Sequence, residues 1–122
     1  MAVPDIAFEV PDHAGEARLT AARPIDLVHL HTQTMGDASL ETEVLQLFAR
    51  HARSCLQDCA AGDAAAVSAA AHRLKGAAGA VGAFDVASAA AALEAAPEDA
   101  VPAAALTAAV LEAENFILRL CR

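Results

Sequence analysis

The stretch that most constrains this fold is Ala64–Val81, AAAVSAAAHRLKGAAGAV. Its apolar residues Val67, Ala71, Leu74, Ala78 and Val81 recur at steps of 4, 3, 4 and 3. That is the seam of a helix packed in a bundle. Such a seam needs companions, and Leu106, Val110, Ala113, Ile117 and Leu120 repeat the same steps near the C-terminus. Apolar residues make up 57% of the 122 residues, yet aromatics only 3%, so the core is thin and much of it is alanine, the strongest helix former. The expected fold is all-α: an antiparallel up-down four-helix bundle with a short additional N-terminal helix capping one end.

His72 sits off that seam. At about 100° per residue, the positions within about 60° of it are Ala65, Ser68, Ala69, Lys75, Gly76 and Gly79. All but Lys75 are small. A glycine inside a helix costs roughly 1 kcal/mol relative to alanine, and two of them lie one and two turns beyond the histidine on its own face. Helix propensity is given up where another body could approach. An imidazole near neutral pH keeps a large uncharged fraction with a free ring nitrogen, and histidine takes up covalent groups as a nucleophile. A phosphoryl group is the natural candidate, because Lys75 one turn on would offset its negative charge. The plainer alternative makes His72 one of several surface histidines among chance glycines.

Along the chain, residues 1–23 mix Pro4, Pro11, Gly15 and charges without sustained periodicity, and are read as a partly flexible arm. Within them Ala7-Phe8-Glu9-Val10 alternates briefly and could lie down on the bundle. The helical domain spans 24–122. Its first helix is expected from Pro24 to Thr32, with Leu27, Val28 and Leu30 covering one end of the bundle and His29 and His31 in solvent. Met35-Gly36 breaks it, and Asp37 or Ser39 caps the next helix, whose apolar face is Leu40, Val44, Leu47, Phe48, Ala52, Cys55, Leu56 and Cys59. Gly62 stops that helix and Asp63 caps the one carrying His72. After Gly82, Phe84–Ala95 forms the next, with Val86, Ala89, Ala90 and Leu93 inward. A connection through Pro97 and Pro102 leads to the last helix, from Ala103.

His72-Arg73-Leu74-Lys75-Gly76, with Gly82 ten positions after the histidine, resembles the signature of histidine-containing phosphotransfer (HPt) domains, H-x-[LI]-K-G-x5-G. The likeness runs on through Ala83, Val86 and the Leu93-Glu94 pair, and with Ile25-Asp26-Leu27 covers about Pro24 to the C-terminus. The resemblance implies a phospho-carrier without autonomous turnover: His72 accepts a phosphoryl group from a receiver-domain aspartate and passes it to another receiver, Lys75 stabilises phosphate charge, and Ser68, Ala69, Gly76 and Gly79 form the docking surface. The implied partners are response-regulator receivers and a hybrid histidine kinase. No cofactor of its own is expected, and Mg²⁺ would come with the receiver.

Net charge is −8, which disfavours nucleic acid and anionic membrane as partners. Cys55, Cys59 and Cys121 are an odd number, fitting a reducing cytoplasm. No basic start followed by an apolar run marks a signal peptide, and no stretch reads as a membrane span. The expected state is a soluble cytoplasmic monomer. Two other functions compete: a metal- or redox-active bundle using His51, Cys55 and Cys59, spaced four apart along one helix side, or a non-phosphorylated structural adaptor.

Overall fold

The computed structural model describes residues 23–121. The arm assigned to 1–23 therefore lies, but for Arg23, outside the described residues. Five helices follow in order: α1 Leu27–Thr34, α2 Ala38–Ala61, α3 Ala64–Val81, α4 Phe84–Ala95 and α5 Ala100–Leu120. No strand occurs among the described residues. The four longer helices touch in chain order, α5 also packs on α2 to close the ring, and α1 rests on α2 and α3.

Aspartates set most of the helix starts. Asp26, Asp37, Asp63 and Asp99 each accept from amide groups that have no partner within the helix, as an N-cap carboxylate should. Asp26 moves the start of α1 from the expected Pro24 to Leu27: its Oδ1 accepts from the Val28 and His29 amides at 3.0 and 3.1 Å. Ahead of that cap, Ile25 is buried and covers the bundle end, whereas Val28 is 75% exposed. The start of α5 also differs from expectation, for Pro102 lies inside its first turn rather than in the connection. A first-turn residue has no intrahelical acceptor for its N–H, so proline loses nothing there.

Gly82 fixes how α1 meets α3. It ends α3 with φ +88°, a left-handed conformation that side chains disfavour. The Asp26 amide donates to the Gly82 carbonyl at 2.9 Å. A Cβ at position 82 would stand 2.8 Å from the Asp26 carbonyl oxygen, so this crossing admits only glycine.

All five seam residues of α3 are buried, joined by Ala70, and Leu74 at their centre is fully covered. On α5, Leu106, Val110, Ala113 and Ile117 are buried while Leu120 is exposed. By length and composition alone α5 is apolar enough to cross a membrane, contrary to the sequence expectation, but here its seam packs on α4 and α2. On α2 the buried set is Leu45, Phe48, Ala52 and Cys55, and Leu40 and Leu47 are exposed. The face is therefore rotated toward Leu45, because α2 must serve both α3 and α5. His29, expected in solvent, packs edge-on against Phe84 with ring centroids 5.2 Å apart, and its Nε2 is buried without a partner. His31 is exposed and pairs with Glu41, which also accepts from Thr34 Oγ1 at 2.8 Å. That carboxyl is held below the usual range, chiefly by the His31 hydrogen bond.

Candidate functional site

The α3 seam turned toward the core leaves His72 outward, its side chain 67% exposed. It is not unattended. Its Nδ1 lies 2.8 Å from Glu94 Oε2 on α4, and Lys75 Nζ lies 2.9 Å from Glu94 Oε1. One carboxylate thus joins the two residues singled out on α3. Beneath it, Ser68 Oγ donates to the Glu94 backbone carbonyl at 3.1 Å, fixing the height of α4 against α3. Leu93, buried one position earlier, anchors the same turn of α4.

Lys75 is the chain's single lysine. Its hydrogen bond is the largest influence holding the Glu94 carboxyl below its usual range; desolvation opposes it, and the His72 hydrogen bond and the charges of both residues add to the lowering. Near neutral pH Glu94 is therefore ionised, and an ionised carboxylate only accepts hydrogen bonds. Nδ1 of the neutral imidazole must then carry the proton, so the lone pair resides on Nε2. Among the described residues nothing hydrogen-bonds Nε2 of His72. The arrangement is a solvent-facing nucleophilic nitrogen whose opposite ring nitrogen is held by an anion.

Of the positions grouped around His72 by helical angle, Ala69 and Gly76 are exposed and Gly79 is half-buried. A Cβ added at Gly76 or Gly79 would meet nothing within 4 Å. Neither glycine makes room for a neighbouring helix. Ser68 differs: it faces α4 and is engaged with Glu94, so it supports the site rather than lining an open surface. Glu94 itself was not among the site residues read from the sequence. Its only signal there was the Leu93-Glu94 pair, taken as a helix marker.

The proposed metal or redox set does not assemble. His51 Nε2 and Cys55 Sγ approach to 3.7 Å, but no group of three His, Cys, Asp or Glu side chains able to hold a metal occurs among the described residues. Cys55 is buried, and burial raises both its thiol and that of Cys59 above the ordinary value. Protonated thiols are poor ligands and poor nucleophiles.

The chain matches the family model for the Hpt domain over residues 43–119, and it belongs to that family. The match spans α2 to nearly the end of α5 and includes His72, Lys75 and Glu94. Hpt domains are helical phospho-carrier modules of two-component phosphorelays, which interact with response-regulator receivers. No curated protein and no solved structure matched the chain.

The geometry at Gly76 sets the first expectation. Because its surroundings are open, Gly76→Ala should leave stability unchanged or raise it by up to about 1 kcal/mol, alanine being the better helix former. Gly76→Gln should also fold, but its side chain would stand over the imidazole one turn away. Thermal melts and single-turnover transfer on both variants check this. The expected pattern is two stable proteins, with transfer depressed far more in the glutamine variant.

Proposed function

We propose that Nε2 of His72 is the phosphoryl acceptor of a phosphorelay, charged by the aspartyl phosphate of one receiver domain and discharged to the aspartate of another. The observation that carries this reading is the Glu94 carboxylate 2.8 Å from Nδ1 of an exposed imidazole, an arrangement that in the neutral ring leaves the lone pair on Nε2. In the forward step the Nε2 lone pair forms the N–P bond as the P–O bond to the receiver aspartate breaks, and that carboxylate leaves with the bonding electrons. The imidazole then carries positive charge, which the Glu94 anion across Nδ1–H offsets.

Lys75 has two roles in this scheme. In the free protein it pairs with Glu94. When a receiver closes over the site and excludes water, its ammonium is one turn from the phosphoryl oxygens, where electrostatic stabilisation is worth more than in solvent. Receivers supply the Mg²⁺ their acidic sites hold, so this chain needs only the imidazole, the carboxylate and the lysine. Ala69, Gly76 and Gly79 provide the low surface on which a receiver docks. The carrier works as a cytoplasmic monomer, its four longer helices running alternately up and down, and a hybrid histidine kinase lies upstream.

Incubation with receiver domains carrying ³²P-labelled aspartyl phosphate tests the reading. Label should move to this protein and be lost in acid, as a phosphoramidate is. Stable binding without label transfer would instead mark an adaptor.

Removing the lysine separates its two roles. Lys75→Met deletes the largest cause of the lowered Glu94 pKa, so the Glu94 carboxyl should titrate closer to its ordinary value of 4.5. A depressed folded-state pKa contributes stability that is present above the unfolded value and is lost as pH falls through the folded one. The variant should therefore be slightly less stable than wild type at neutral pH, and the difference should disappear as pH falls through the lowered folded-state pKa of Glu94. Carboxyl ¹³C titration of Glu94 reads the first effect. Single-turnover transfer reads the second, and a slower but measurable rate is expected.

A further inference from the structure

The last helix carries two seams rather than one. Leu106, Val110, Ala113 and Ile117 face the core, whereas Val101, Ala104, Ala108, Leu111, Asn115 and Leu118 are all exposed and recur at steps of 3, 4, 3, 4 and 3. That spacing keeps the six on one side of α5, the pattern of a seam between two helices. Val101 is 75% exposed and Leu118 63%. We propose that this outer seam pairs with the same seam of a second copy, the two α5 helices running antiparallel about a two-fold axis level with the Ala109–Val110 bond.

Side-chain size selects that register. With the axis there, Leu118 meets Val101 of the second copy, Asn115 meets Ala104 and Leu111 meets Ala108, and each pairing occurs twice, as a two-fold interface requires. Long side chains thus stand over alanines, which lets the helices close without a void. A parallel pair would set Leu111 on Leu111 and Leu118 on Leu118, and these would hold the alanine half apart. Asn115 is a polar residue at one seam position, a device that fixes register.

Charge selects it as well. Arg119 stands opposite the acidic Glu98-Asp99 turn that precedes α5 in the second copy, and among the described residues Arg119, Glu98 and Asp99 take part in no ion pair. Glu112 falls opposite Ala105 and Glu114 opposite Thr107, so no two carboxylates are brought together. Antiparallel helices also set each C-terminal end against a partner's N-terminal end, where the dipoles attract. A membrane is the other surface such an apolar helix could meet. Its exposed flank carries Glu98 and Glu112 against one arginine, a poor match to anionic headgroups.

Among the described residues α5 packs on α2 and α4 and not on α3, so the outer seam lies across the bundle from His72. Each copy keeps a complete, open phosphoryl site and remains the working unit, and nothing in the pairing depends on phosphoryl chemistry. A single pair of 21-residue helices, about 31 Å long, makes a small interface. Association should therefore be weak and concentration-dependent.

Sedimentation equilibrium of the full chain from roughly 10 μM to 1 mM tests the pairing. The expected mass rises from one copy to two across that range. Leu118→Lys should weaken association about tenfold or more, and Arg119→Glu about fivefold, with most of the latter loss recovered when Glu98→Arg is added. These side chains are exposed, so circular dichroism melts of the variants should match wild type. Isotope-filtered NOEs in mixed-label samples should join the Leu118 methyls of one copy to the Val101 methyls of the other. A one-copy mass throughout, with or without attachment to phosphatidylglycerol vesicles, would overturn the proposal. So would a dimer that Leu118→Lys leaves as tight as before, or intermolecular NOEs from Leu118 to Leu118, which would mark a parallel pair.

Discussion

His72→Gln should abolish phosphoryl uptake while leaving helicity and the melting temperature nearly unchanged. The side chain is 67% exposed and contributes little packing, and surface substitutions ordinarily fall within about 0.5 kcal/mol. What glutamine removes is the nucleophile, since an amide has no lone pair comparable to that of Nε2. Loss of the pair to Glu94 should be a small effect on the fold, because exposed ion pairs contribute little. Transfer of ³²P from a charged receiver, measured alongside circular dichroism melts, reads both quantities. A fully labelled variant would place the acceptor elsewhere. A collapsed melt would show that His72 is structural.

The largest loss of stability from a single residue outside the core seams is expected at Gly82. Two independent features meet there: φ of +88° and a missing Cβ that would sit 2.8 Å from the Asp26 carbonyl oxygen. A β-branched side chain in the left-handed region costs on the order of 1–3 kcal/mol, and relief of the contact would pull Asp26 away from its hydrogen bond to the Gly82 carbonyl. Gly82→Val should therefore destabilise the bundle by about 3 kcal/mol. For a domain of this size the melting temperature should fall on the order of 15 °C. His72 lies nearly three turns away on the same helix, so the residual folded protein should still accept phosphate. A melt within a degree or two of wild type would mean that the α1 crossing can rearrange freely.

The contrast between those two sites shows what was legible in the residues. The α3 seam could be read because one periodic face meets one core, and all five of its predicted positions are buried. The caps at Asp37 and Asp63 were legible because capping is a local exchange between a carboxylate and the next turn. On α2 the same periodic reading selected Leu40 and Leu47 and passed over Leu45, since a helix with two neighbours has a direction that only packing decides. Ile25 was passed over because the expected start at Pro24 put it inside the helix, whereas the cap at Asp26 leaves it ahead of α1 and buried. The site divides in the same way: His72, Lys75 and the open glycines lie within eight residues of one another and could be grouped by helical angle. Glu94 joins them across 22 positions, a distance at which helical periodicity carries no information. Composition could not indicate which of the chain's carboxylates would arrive there.

The most direct measurement is the long-range ¹H–¹⁵N imidazole spectrum of His72 before and after charging by a phosphorylated receiver. In the resting protein at neutral pH the expected pattern is the tautomer protonated at Nδ1, with Nε2 unprotonated. After charging, the phosphorus coupling should appear on Nε2 while Nδ1 keeps its proton against Glu94. Phosphorus on Nδ1, or a charged protein whose His72 resonances are unmoved, would contradict the assignment of Nε2 as the acceptor and of Glu94 as the group that holds it ready.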